Sequence, residues 1–250
     1  MKNYKVILEY DGSFYNGLQK QKSHQTIYSV AHNALLKVFN GDVSELNFCG
    51  RTDSGVHAFG QVLNVKTNSS FVFPGNKLAL GINYHLRGEQ ISAISSSEVD
   101  LNFHARYSCL QRIYKYIILN RSFKSPLYHN KAWLVPYKID ILQLQDIAKV
   151  FVGTFNFSHF RNNDCQAKSP IRTVDFINLS YNCDMIEIQI ASRSFLYNMV
   201  RSIVGAVVDV ARGRIELQHI INLLENPDLN CFRGFQVAPS CGLYFMEAKY

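Results

Sequence analysis

No two cysteines in this sequence are spaced as CxxC or CxxxC. The six stand far apart, at 49, 109, 165, 183, 231 and 241, which argues against a zinc site or a dense disulfide framework. They read as reduced, cytosolic thiols. Nowhere do about 18 consecutive apolar residues occur, the run a spanning helix requires. The opening MKNYKVILEYDG meets Glu9 and Asp11 before any apolar stretch of signal-peptide length, so a cytoplasmic protein is expected. Charged residues are sparse, 18% against 47% hydrophobic, which is the balance of a folded chain and excludes general disorder. No Pro- or Ser-rich linker interrupts the 250 residues. One compact body is therefore expected, with a boundary near residue 101 between segments 1–100 and 101–250.

What charge there is leans positive. Lys and Arg number 26 against 19 Asp and Glu, a net +7, which suits an anionic partner such as nucleic acid. Residues 1–100 hold 9 against 8 and residues 101–250 hold 17 against 11, so +6 of the excess lies in the second segment.

Periodicity supplies the elements. YKVILEY at 4–10 is a β-branched and aromatic strand running into Asp11-Gly12. Ile27, Val30, Ala31, Ala34, Leu35 and Val38 mark one face of a helix that Asn40-Gly41 ends. Further strands are expected at 45–49, 62–67, 90–95, 112–119, 171–180, 184–191 and 242–249, and helices at 78–82, 141–151, 195–212 and 215–225. In 184–191, Ile186, Ile188 and Ile190 alternate with Glu187 and Gln189, so one face should be buried and one wet. Strands interleaved with helices make an α+β fold, with the first hundred residues compatible with a ferredoxin-like arrangement.

Chemistry concentrates between the strands at 45–49 and 62–67, where glycines bracket Arg51, Thr52, Asp53 and His57 in CGRTDSGVHA. Glycine permits close backbone approach there. By itself an aspartate in such a loop reads as an Asx turn before it reads as a reactive carboxylate, and the rest of the chain is what raises the second reading. On the strand 112–119, Arg112, Tyr114, Tyr116 and Ile118 share a face, where a tyrosine either packs across the sheet or lies against a flat substrate. Arg201 sits in an apolar helix and must either snorkel to the surface or meet an anion. His57, His104 and His159 lack metal-ligand spacing and suit core or substrate contacts.

CGRTDSGVHAFGQV, NFHARYS followed by RIYKYIILN, and SFLYNMVRSIVG, with YDGSFYNG and Gln19 near the start, together resemble the TruA family of transfer RNA pseudouridine synthases. The resemblance spans nearly the whole chain in the family's order. It implies Asp53 as the catalytic aspartate, Tyr114 as the active-site tyrosine against the target uracil, and Arg201 as partner of the aspartate. It also implies two ferredoxin-like halves about a pseudo-twofold axis with a basic cleft between them, a homodimer, no metal and no organic cofactor. The implied substrate is uridine at positions 38–40 of the tRNA anticodon stem-loop. Leu18 stands where the family usually has Trp, Cys49 precedes the GRTD stretch, Ser54 replaces the commoner Ala, and Arg87 occupies a frequent Pro position.

The reaction explains the residue types. Isomerising uridine breaks the bond from C1′ to N1 and joins C1′ to C5, which builds positive charge on the ribose. One carboxylate beside C1′ can stabilise that charge, form an adduct, or help remove the C2′ proton. A guanidinium keeps it ionised among phosphates, and an aromatic ring offsets the unstacking of the base. Arg106, Arg112, Arg161, Lys168 and Arg172 would hold phosphates, beside Arg51, Thr52 and His57 near the loop. A non-catalytic RNA-binding protein on the same scaffold is the alternative. A zinc deaminase is a weaker one, lacking H-x-E and P-C-x-x-C.

Overall fold

The computed structural model describes residues 1–69, 73–74, 76–162, 164–226 and 233–250. Its contacts divide the chain into two units, Met1–Leu110 with Tyr244–Tyr250, and Gln111–Leu243.

In the first unit the order is β1 (Lys2–Tyr10), α1 (Ile27–Val38), β2 (Glu45–Phe48), β3 (His57–Thr67), α2 (Lys77–His85) and β4 (Ile91–Val99). β1 lies between β4 and β3 and β2 pairs with β3, all antiparallel. This is the strand order of a ferredoxin-like sheet. Thr26 opens α1 with a capping box shared with Ser29, satisfying amides that a helix start leaves open. The expected apolar face is buried at Ile27, Val30, Ala31, Ala34 and Leu35. Asn40 and Gly41 then turn the chain at φ 49° and 89°. Tyr4, Val6 and Leu8 of β1 and Leu63 and Val65 of β3 form the core with Leu35, Phe39 and Leu78.

β3 begins five residues earlier than periodicity suggests. Its start is paired on both sides, with Ala58 opposite Tyr10 and with His57 and Ala58 beside the parallel strand β10, whose full span is Leu243–Lys249.

The second unit contains β5 (Gln111–Leu119), β6 (Trp133–Leu134), α3 (Ile141–Lys149), β7 (Gly153–Asn156), β8 (Ile171–Asn182), β9 (Met185–Ser192), α4 (Met199–Ala211) and α5 (Leu217–Glu225). Antiparallel pairing runs β5-β9-β8-β7, with β6 parallel to β5. Ile186, Ile188 and Ile190 are buried, while Glu187 and Gln189 of the opposite face are half-buried. Asp140 caps α3, its carboxylate accepting from the amides of Leu142 and Gln143. Strands β6 and β7 were not expected: the first has two residues, and the second takes its register from β8 rather than from any alternation of its own.

Helix α4 starts at Met199 and not at 195, because Asn198 adopts φ 64° in the left-handed region. The apolar residues before it, Phe195 and Leu196, belong to a loop that packs against β5 and the core. Within α4 every residue except Arg201 and Ala211 is buried. Five cysteines are free thiols, and Cys231 lies outside the described residues. Among the described residues, no helix is long and apolar enough to cross a membrane.

Candidate active site

The loop that carries Asp53 is seated on the turn that follows β1. Leu18 donates its amide to Thr52 O at 3.0 Å, and Ser54 Oγ donates to Tyr15 O at 3.3 Å. Two glycines permit this approach. A Cβ on Gly12 would stand 1.9 Å from Val56 O, and one on Gly17, whose φ is +78°, would stand 2.9 Å from Thr52 O. Both glycines of the YDGSFYNG stretch are therefore required by backbone lying directly over them. Asp53 itself is half-buried and its carbonyl accepts the Val56 amide at 3.2 Å.

Around Asp53, Thr52, Val56 and His57 are buried, while Arg51 and Ser54 are exposed. Thr52 is buried and its Oγ1 shares a 2.8 Å hydrogen bond with Tyr10 OH. Burial pushes the Tyr10 hydroxyl up to about 12, against the opposing pull of its hydrogen bonds to Thr52 and Gln61. Gln61 reaches back from β3 to donate to Gly50 O at 3.0 Å. His57 is 2% exposed and stacks on Tyr244 at 4.7 Å between ring centres. Its Nδ1 lies 3.1 Å from the Gly12 amide and 3.0 Å from Asp11 Oδ1. A neutral Nδ1 accepts from Gly12, whereas a protonated one donates to Asp11. Arg51 is exposed. Thr52 and His57 thus hold the loop, a role that neither residue type nor spacing revealed.

The second unit holds Tyr114 and Arg201. Tyr114 is 7% exposed on β5 and meets Phe195 edge to face at 5.3 Å. Arg112, on the same face, donates from its guanidinium to Arg193 O. The strand face and the 193–198 loop are thereby joined, and that loop leads into α4. Arg201 does not snorkel freely: its Nε donates to Ala238 O at 2.7 Å and an NH donates to Asn198 Oδ1 at 3.1 Å. Ala238 returns its amide to Arg201 O at 3.1 Å. Segment 236–238 is pinned to α4 by the fully buried Asp209, which accepts the Gln236 amide at 2.9 Å and pairs with Arg214 at 3.2 Å. Tyr116, the neighbouring face residue, is fully buried and donates to Pro239 O at 2.6 Å, and burial raises its hydroxyl well above the usual range.

The other expected phosphate contacts are more open. Arg106 and Lys168 are exposed and Arg161 is half-buried. Arg172 spends its guanidinium on Ser169 O and Ile171 O, and burial lowers its affinity for its proton. His104 Nδ1 accepts the Arg106 amide at 3.1 Å. Among the described residues no group of three or more His, Cys, Asp or Glu could hold a metal ion.

Asp53 thus lies on a clamped, glycine-bracketed loop of the first unit, and Tyr114 and the tethered Arg201 lie on β5 and α4 of the second, in a chain of the α+β class. Residues 147–250 match the family model described as tRNA pseudouridine synthase. Over 250 residues and the full length of both chains, the sequence is 38% identical to tRNA pseudouridine synthase A of Acetivibrio thermocellus. It is likewise 38% identical, over 100% of both chains, to the protein of that name from Thermoanaerobacter sp. (strain X514). The protein of that name from Wolbachia pipientis subsp. Culex pipiens is 38% identical over 99% of both chains. The chain belongs to the tRNA pseudouridine synthase A family.

Proposed function

We propose that this chain isomerises uridine to pseudouridine in tRNA, at positions 38–40 of the anticodon stem-loop, with Asp53 as the catalytic carboxylate. The full-length similarity to tRNA pseudouridine synthase A carries this reading. The clamped loop supports it, since a reactive carboxylate must be fixed to within a fraction of an ångström of its target.

Asp53 acts at C1′ of the ribose. As the C1′–N1 bond breaks, the carboxylate meets the positive charge, either by bonding to C1′ or by assisting loss of the C2′ proton. The freed uracil turns, C5 bonds to C1′ as the Asp53–C1′ bond breaks or the C2′ proton returns, the C5 proton leaves, and N1 takes up a proton. Nothing is gained or lost overall. Arg201 supplies the positive charge that keeps Asp53 ionised near phosphates. Tyr114 stacks on the target base and assists removal of the C5 proton. Arg51, Arg106, Arg161 and Lys168 bind phosphates and set register, whereas Arg112, expected among them, is buried and holds the 193–198 loop through Arg193 O. Thr52 and His57 act through the loop they hold. The protein works as a homodimer in the cytoplasm, without metal or organic cofactor.

The test is to incubate purified protein with unmodified tRNA transcripts labelled with tritium at uridine C5, and to map pseudouridine by sequencing. Tritium release with pseudouridine at 38–40 is expected. Modification elsewhere would overturn the positional assignment, and RNA binding without release would leave the non-catalytic alternative in its place.

A further inference from the structure

Ser202 is fully buried, yet its Oγ finds no hydrogen-bond partner among the described residues. Buried hydroxyls are almost always paired, so an unpaired one calls for an occupant beside it. Ser202 lines a cavity of about 180 Å³ together with Asn162, Asn198, Arg233 and Val237. One water needs only about 10–15 Å³ of such space.

The polar groups around this cavity are donors. Asn198 Oδ1 is occupied by Arg201 and Asn162 Oδ1 by the Asp164 amide, which leaves each side-chain NH₂ available. Arg233 offers only donors, and no acidic residue is among the five. The cavity also lies at the N-terminus of α4, a helix of thirteen residues whose capping residue Asn198 makes no side-chain bond to a backbone amide of the first turn. Such an end carries partial positive charge and open amides. Donors, a guanidinium and a helix N-terminus around one space describe a receptor for a tetrahedral anion.

We propose that this cavity is a phosphate seat and that it receives a phosphodiester of the RNA strand, which rests on the tRNA reading above. Asn198 links it to the chemistry, because the same side chain accepts from Arg201. A phosphate held here would set the strand's register relative to the arginine. Asn198 and Ser202 stand within the SFLYNMVRSIVG stretch and the other three outside any motif, and none of the five is among the RNA contacts that the family resemblance implied.

Two variants test this, Ser202→Ala and Arg233→Gln. Their melting temperatures are measured with inorganic phosphate against chloride at equal ionic strength, and their tRNA affinities across a salt series. Ser202→Ala removes an unpaired hydroxyl, so without phosphate it should melt no lower than the parent, which a merely structural serine would not allow. Both variants should lose the phosphate-specific rise in melting temperature that the parent shows. Arg233→Gln should weaken tRNA about tenfold, with log K against log salt shallower by roughly 0.7, and raise KM more than it lowers kcat. If parent and variants respond alike to phosphate and salt, the cavity holds water and the proposal fails. If the phosphate response is lost while tRNA affinity and slope stay at parent values, the seat takes a free anion and the RNA assignment is overturned. A parent that shows both phosphate effects but releases no tritium would support the seat and refute the catalytic reading instead.

Discussion

Tyr10 and Thr52 meet through a 2.8 Å hydrogen bond in the interior, joining the end of β1 to the residue next to Asp53. Tyr10→Phe keeps the ring and removes the bond, leaving Thr52 Oγ1 without that partner. A loss of about 1 kcal/mol in stability is expected, with a larger fractional fall in kcat than in tRNA affinity. Urea unfolding and tritium-release kinetics measure the two.

The same pair gives a pH dependence. Because the folded-state value of Tyr10 is pushed up to about 12 while an unfolded tyrosine titrates near 10, its burial stabilises fully below about pH 10. That contribution is lost as pH rises toward 12, since the unfolded chain then releases its proton first. The parent should lose more stability than Tyr10→Phe between pH 9 and 11, and equal losses would refute the assignment to Tyr10.

Gly17→Ala and Gly41→Ala form a matched comparison. Both positions have φ near +80° to +90°, yet a Cβ on Gly17 meets Thr52 O at 2.9 Å whereas one on Gly41 meets nothing within 4 Å. Each should lose about 1 kcal/mol or more from backbone strain. Only Gly17→Ala should also depress kcat, because only there does relief of the contact move the Asp53 loop.

Asp53→Asn should abolish tritium release by more than about a thousandfold while tRNA affinity, read by filter binding, stays within a few-fold of the parent. Turnover near the parent rate would remove Asp53 from the mechanism.

Arg201→Met strips two donors from Ala238 O and Asn198 Oδ1. A stability loss of about 2 kcal/mol is expected, together with a severe loss of turnover. Wild-type turnover with an unchanged melting temperature would show the arginine to be a spectator.

What the sequence discloses depends on how local the cause is. Asp140 announces the start of α3 because the amides it accepts from lie two and three residues on. The start of α4 was hidden because one residue, Asn198, turns left-handed within an apolar stretch that otherwise reads as helix. The Asp53 loop was visible as a cluster of residue types, but its supports were not. Gly12 and Gly17 matter through contacts with Val56 and Thr52, and no periodicity links positions 12 and 56. The five lining residues of the cavity come from three distant stretches of chain, so each alone reads as an ordinary polar or apolar residue.

β10 sets the order in which this protein becomes competent. Its residues Tyr244 and Phe245 complete the edge of β3 beside His57 and Ala58, and Tyr244 stacks under the His57 ring. Those residues leave the ribosome only after all of Gln111–Leu243 has been made. A nascent chain halted before Tyr244 has Asp53, Thr52 and Tyr10 in hand but an unpaired strand edge where the loop re-enters the sheet. Such an edge is open to wrong pairing. Synthesis itself therefore acts as a timer: the carboxylate loop is finished by a strand made after the whole of the second unit, and the protein should stay silent toward RNA until then.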